Sequence, residues 1–197
     1  MKILKNVLYA ILFLIGGILI AALFISRDVV YEQSVIIEAP LEVVWEQTNS
    51  LADLEEWSPW NAYDPDMKKE WSGEADGTIG ATIHWDSDHE KVGKGDQTIA
   101  KIEAPNYFET DLKFYDPYES EAKGYVALKE DGINTIATWG FSSVMPYPMN
   151  LMKLMYNMEE MMQDDFRTGL ANLKSLCEKR YDIIKQAEAI VEAQNDQ

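Results

Sequence analysis

The chain has 197 residues, 47% of them hydrophobic and 26% charged, which suits one ordinary globular domain with an additional segment. Its 34 acidic against 17 basic residues give a formal charge of −17, which argues against a nucleic-acid partner and against electrostatic docking onto anionic lipid head groups. Cys177 is the only cysteine, so no intrachain disulfide can form.

The first element is "VLYAILFLIGGILIAALFI", Val7 to Ile25, an apolar run without a charge. At about 1.5 Å per residue, roughly 20 such residues cross about 30 Å of hydrocarbon, so the run predicts a transmembrane helix. A cleaved signal peptide has an apolar region of only about 7–15 residues and ends in a small-x-small site. The exit here reads "AALFISRD", with Phe24 and Ile25 where small residues are wanted, which favours a retained anchor. Lys2, Lys5 and the terminal amine precede the run, whereas Arg27 follows it and is offset at once by Asp28. The positive-inside rule therefore predicts a single-pass protein with a cytoplasmic N-terminus and its domain on the periplasmic or extracellular side.

"VVYEQSVIIEAP", Val29 to Pro40, alternates as a β-strand. Pro40 opens a short helix, since proline is tolerated in a first turn and Leu41, Val44, Trp45 and Leu51 share a face. Asp53 to Trp57 reads as a second helical turn that Pro59 ends. Six strands are expected next, at about Lys68–Ser72, Thr78–Trp85, Gly95–Glu103, Tyr107–Tyr115, Ser120–Lys129 and Asn134–Ser143, separated by breakers such as "EADG" and "EDG". Their short connections predict an antiparallel meander. After "MPYPMN" the period becomes helical, with Met155, Met158, Met162, Phe166, Leu170, Leu173 and Cys177 on one stripe of a helix reaching Lys179 or beyond. The predicted organisation is an anchor over 1–27, one domain over 28–180, and a helical extension or loose tail over 181–197.

The succession "IIEAPLEVVWEQTNSLADLEEWSPWNAYDP", "WSGEADGTIGATIHW", "GKGDQTIAKIEAPNYFETDLKF", "NTIATWGF" and "DDFRTGLANLKSL" resembles the SRPBCC (START-like) superfamily, close to its polyketide cyclase/dehydrase and lipid-transport branch. The resemblance covers about residues 30 to 178. It implies an α+β helix-grip fold, a curved antiparallel sheet around a long C-terminal helix with an apolar cavity between them. In such a fold the short helices after the first strand close one end of the cavity, so Trp57 and Trp60 either line its mouth or plug the end of the sheet.

Strand alternation puts Ala81, Ile83 and Trp85 on one face, and likewise Thr135, Ala137, Trp139 and Phe141. The expected ligand-binding set is Trp57, Trp60, Trp85, Trp139 and Phe141, with Met158, Met162 and Phe166 from the helix. The same side chains would serve as ordinary core. Gly169 inside the helix costs about 1 kcal/mol relative to alanine and signals either close packing on the sheet or room for a ligand.

No catalytic residue, metal or cofactor is nominated. His84 and His89, the only histidines, lack a metal-ligand spacing, and Asp86 and Asp88 beside them fit a solvated acidic turn. Nucleophile elbow, phosphate-binding glycine loop and clustered cysteines are all missing from the sequence. Three functions stay open: a membrane-tethered module binding a lipid or other apolar molecule, a cyclase or dehydratase using the same cavity, and a protein-interaction module with the cavity collapsed. The first fits best, because the inward candidates are apolar and no buried acid–base pair declares itself. About 4–6 residues between Ile25 and the first strand reach only about 13–20 Å, so the domain is expected to sit close to the bilayer.

Overall fold

The computed structural model describes residues 2–116, 119–154 and 158–195. Among them, α1 (Lys2–Ala22) precedes β1 (Asp28–Ile37), three short helices, α2 (Leu41–Trp45), α3 (Leu51–Trp57) and α4 (Trp60–Tyr63), and then six further strands. These are β2 (Lys68–Gly73), β3 (Ala81–Asp86), β4 (Lys94–Glu103), β5 (Tyr107–Asp116), β6 (Ser120–Asp131) and β7 (Asn134–Val144). A 3-10 turn at Met149–Leu154 leads towards α5 (Met158–Asn195).

The strands form an antiparallel sheet in the order β1-β7-β6-β5-β4-β3-β2, and α5 lies along its concave face, which is the helix-grip architecture. Alternation explains the face. On β7, Thr135, Ala137 and Trp139 are buried, and on β6, Ala122, Val126 and Leu128. The register places Trp139 opposite Val126 and Gln33, and Phe141 opposite Gly124 and Tyr31, so inward positions of neighbouring strands coincide. From α5, Phe166, Leu170, Leu173 and Cys177 recur at helical spacing and are all buried against this face. Full burial of such a side chain contributes about 1.5–3 kcal/mol, so this seam dominates the packing.

Two points differ from the expectation. Pro59 does not end helicity: it stands at the N-terminus of α4, where its missing N–H costs nothing, so three short helices are present among the described residues rather than two. α3 begins at Leu51, two residues earlier than expected, because Ser50 caps it by accepting from the Asp53 N–H at 3.1 Å. Asp76, from the β2–β3 connection, adds a cap from outside the helix by accepting from the N–H groups of Leu51 and Ala52 at 2.9 and 3.0 Å. The final helix runs unbroken past Lys179 to Asn195, with Tyr181 and Ile184 still packed against the core. Met155, expected at its start, lies outside the described residues.

α1 is apolar and long enough to serve as a membrane span or a signal sequence. Its C-terminal end is clasped by the β7–α5 connection. Asn150 Nδ2 donates to the carbonyls of Ala22 (2.8 Å) and Ile25 (2.9 Å), Lys153 Nζ to those of Ser26 (3.3 Å) and Asp28 (2.6 Å), and Tyr147 Oη to that of Leu19 (3.1 Å). The Met145 N–H also donates to the Arg27 carbonyl at 2.8 Å, extending the β1–β7 ladder towards α1. The last carbonyls of a helix have no i+4 partner within it, and here the folded domain supplies donors to two of them, Leu19 and Ala22.

Candidate functional site: an aromatic-walled cavity

Between the concave face, the N-terminal half of α5 and the short helices α3 and α4 lies a cavity of about 400 Å³. Seven of the eight residues expected to bind a ligand are on its wall: Trp57, Trp60, Trp85, Trp139, Phe141, Met162 and Phe166. The eighth, Met158, has a side chain outside the described ones.

These residues are not equivalent. Trp57 is 1% exposed, and its indole N–H donates to the Gln47 carbonyl at 3.0 Å, so it is locked as the floor of α3. Trp139 is the hub. It meets Trp57 edge-on at 4.8 Å and Trp60 at 5.3 Å between ring centroids, and stacks on Phe166 at 4.2 Å. Each such pair adds about 0.5–1.5 kcal/mol beyond buried area, which fixes the α4–β7–α5 junction. Trp85 stands apart, edge-on to Phe114 at 5.8 Å, with its N–H on the Val92 carbonyl at 3.2 Å. It lies across Gly95, where a Cβ would come within 2.5 Å of the indole.

Gly169 resolves in the same way: a Cβ there would sit 2.5 Å from the Trp139 ring and 3.2 Å from Pro59. Of the two meanings its sequence position allowed, close packing on the sheet is the one realised.

Two groups of polar side chains on the wall are hydrogen-bonded among themselves or to neighbours. Gln97 on β4 donates to the Thr110 hydroxyl on β5 at 2.9 Å, and Thr110 donates in turn to the Gly124 carbonyl at 3.3 Å. At the opposite rim, Lys69 pairs with Glu55 and reaches Asn61 Oδ1 at 2.6 Å. Lys91 donates to Tyr63 Oη at 3.2 Å, and Tyr63 donates to Asp165 at 2.5 Å. The Tyr63 contact holds the Lys91 ammonium above the usual lysine range. None of these was nominated from sequence. Gln97 and Thr110 were findable, sharing strand faces with Ile99 and Phe108, but the rim lysines come together only through long-range topology.

Outside the cavity, His84 occupies an unforeseen arrangement. Its Nδ1 lies 2.5 Å from Asp96 Oδ1 and its Nε2 2.7 Å from Ser72 Oγ, while Tyr115 Oη donates to Asp96 Oδ2 at 2.6 Å. The row has the composition of a nucleophilic triad. Acyl transfer also needs donors aimed at a developing oxyanion and a cleft that excludes water. This row crosses three strands on the convex face, on the other side of the sheet from the inward-facing Ile83 and Gln97, and Ser72 is exposed on edge strand β2. The geometry is that of a solvated cross-strand hydrogen-bond ladder. Cys177 offers no nucleophile either, since burial pushes its thiol up to about 12. Among the described residues no group of three or more His, Cys, Asp and Glu side chains is placed to hold a metal.

Residues 28–178 match the family described as polyketide cyclase / dehydrase and lipid transport. Solved structures of the same fold include the Zhui aromatase/cyclase from a Streptomyces species, at 15% identity and a TM-score of 0.53, covering 78% of this chain and 95% of that one. A protein from Nitrosospira multiformis is similar at 18% identity and TM-score 0.53, covering 75% and 94%. One from Arthrobacter aurescens is similar at 20% and 0.52, covering 76% and 87%. At such identities the likeness concerns the fold. No curated protein matches the chain.

Proposed function

The chain belongs to the polyketide cyclase / dehydrase and lipid transport family, and on that premise we propose that it is a membrane-anchored, non-catalytic domain that holds a lipid or other apolar small molecule in its internal cavity. The observation that carries this reading is the cavity itself: about 400 Å³ walled by indoles, phenyl rings and Met162. That volume is within the range of small-molecule sites, and the mixture of apolar wall and few polar groups is what such sites require.

A binding role is favoured over a cyclase or dehydratase by the state of the polar groups. Lys69 and Glu55 neutralise each other at the rim and Lys91 is engaged with Tyr63, while the polar pair deeper in the wall, Gln97 and Thr110, is neutral. Acid–base catalysis needs a titratable group aimed at the reacting atoms with its pKa tuned by the site. A collapsed interaction module is disfavoured by the volume of the cavity. In this reading Trp57, Trp60, Trp85, Trp139, Phe141, Met158, Met162 and Phe166 contact the ligand, residues 1–27 retain the protein in the membrane and residues 28–180 form the binding unit. Lys2 and Lys5, in the first turns of α1, support a cytoplasmic N-terminus with the domain on the periplasmic or extracellular side.

The test is native mass spectrometry of the full-length protein purified in detergent. A co-purifying lipid-sized mass, lost in a Gly124→Phe variant whose new ring projects between Thr110 and Leu112 into the cavity, is the expected result. A ligand-free protein that also fails to take up a fluorescent fatty acid would overturn the reading.

A further inference from the structure

The clasp between α1 and the β7–α5 connection fixes more than the length of the tether. We propose that the connection Met145–Leu154 is itself a membrane-docking surface, seated in the interfacial zone of the lipid bilayer beside α1 and holding the domain in one orientation with the mouth of its cavity turned towards the lipid. This rests on the reading of α1 as a membrane span.

Three observations converge. The first is depth. Tyr147 donates to the carbonyl of Leu19, three residues before the end of α1 and so about 4.5 Å inside it at 1.5 Å per residue. A side chain that reaches this carbonyl stands at the level of the helix's last turn, where an amphipathic tyrosine is the preferred residue of a membrane-spanning protein.

The second is composition. The stretch "MPYPMNLMKL" contains no acidic residue, although the chain carries 34 of them. Three of its large side chains face outward: Tyr147 is 43% exposed, Met149 48% and Leu154 72%. Just past the end of α1, Leu23 and Phe24 are likewise 68% and 83% exposed. Single exposed apolar residues are ordinary, but a run of them in a connection hydrogen-bonded to an apolar helix end forms a patch to which the connection itself contributes no carboxylate.

The third is rigidity. Asn150, which makes two of the clasp bonds, is 1% exposed, and residues between α1 and β1 are tied to Lys153 and Met145 rather than left as slack. The patch therefore cannot swing away from α1 without breaking the buried Asn150–Ala22 hydrogen bond and the part-buried one to Ile25.

The orientation of the cavity follows from the register. Asp28 pairs with Val144, so the end of the sheet where β1 starts and β7 finishes is the end next to α1. Phe141 is three residues from Val144, and Phe114 pairs with Ser120 at the start of β6, on the same edge. Both line the cavity, as does Met162 near the start of α5. Towards the other end of the sheet the cavity is closed by Phe108, behind which Leu51 and Ile99 are packed as buried core.

The experiment places an environment-sensitive fluorophore on single introduced cysteines in the full-length protein, reconstituted in phosphatidylcholine vesicles with and without nitroxide-labelled lipid. Cys177 is buried and resists labelling. The positions are Met149→Cys and Leu154→Cys on the patch, Ile133→Cys in the β6–β7 turn at the far end of the sheet, and Phe13→Cys within α1. Blue-shifted emission and lipid quenching at 149, 154 and 13, but not at 133, is the expected result. Adding Asn150→Ala and Lys153→Ala should reduce quenching at 149 and leave 13 unchanged. Probes at 149 and 154 as aqueous as the one at 133, with 13 quenched, would overturn the docking surface and leave the anchor standing. An unquenched probe at 13 would overturn the anchor reading as well. Emission at 149 that is blue-shifted yet unquenched would mean that protein, such as a second copy of the chain, covers the patch, and that also refutes a lipid seat.

Discussion

Replacing Gly169 by alanine sets two known effects against each other, and the structure decides which wins. In an exposed helix the change stabilises by about 1 kcal/mol, because alanine loses less backbone entropy. Here the added Cβ would lie 2.5 Å from a carbon of the Trp139 ring and 3.2 Å from Pro59. The indole cannot give way cheaply, being held by Trp57, Trp60 and Phe166, so it must shift towards the cavity. Overpacking of this kind costs about 1–3 kcal/mol, giving a net loss of up to about 2 kcal/mol for Gly169→Ala. At about 2–4 °C per kcal/mol for a domain of this size, Tm falls by several degrees. The assay is thermal unfolding of the full-length protein in micelles, read by circular dichroism, with uptake of a fluorescent fatty acid measured in parallel and expected to weaken. In a Trp139→Phe background the smaller ring leaves room, and Gly169→Ala should recover its helix gain, a coupling of about 1–3 kcal/mol between contacting sites. If Gly169→Ala instead raises stability by the full 1 kcal/mol or so with uptake unchanged, Trp139 is not the fixed hub described above.

Two further outcomes test the supports of the site. Asp76→Ala removes both carboxylate caps from α3 and should cost about 1–2 kcal/mol, with faster hydrogen exchange at the amides of Leu51 and Ala52. Glu178 is partly buried, which alone would raise its pKa, but the ammonium of Lys174 at 2.6 Å and the Glu38 N–H at 2.9 Å hold it below the ordinary glutamate value of 4.5. A depressed carboxyl contributes stability above that value and loses it as the pH falls through the folded pKa. Glu178→Gln should therefore cost about 0.5–1 kcal/mol near pH 7, with the deficit fading below about pH 4.5 in parallel denaturant titrations.

Periodicity made much of the architecture legible. Strands alternating with period two and the Phe166–Cys177 stripe are local signals, and each element they announced is present within a few residues. α4 escaped because a proline reads as a stop, although the same residue starts a helix at no cost. The aromatic wall was legible because bulky inward residues announce themselves on alternating faces. What those faces do with one another was not: Ser72, His84 and Asp96 are twelve residues apart in turn, and only the register of two hairpins aligns them. Gly169 showed its cost in the sequence, but the reason for it is a ring thirty residues upstream. The partners of the α1 carbonyls lie still farther away, in a connection that carries no periodicity at all.

The clasp also orders events in time. Asn150 follows the Ala22 carbonyl it binds by 128 residues. At about 5–20 residues per second, a nascent chain takes roughly 6–26 s to supply Asn150 after Ala22 has been made. Through that interval the carbonyls of Leu19 and Ala22 lack the side-chain donors they have in the folded protein. All seven strands precede Tyr147, Asn150 and Lys153 in the chain, and the last of them pairs with the first in the folded protein. Closing the clasp is therefore a late event in synthesis, and it reports that β7 and the connection after it have reached β1.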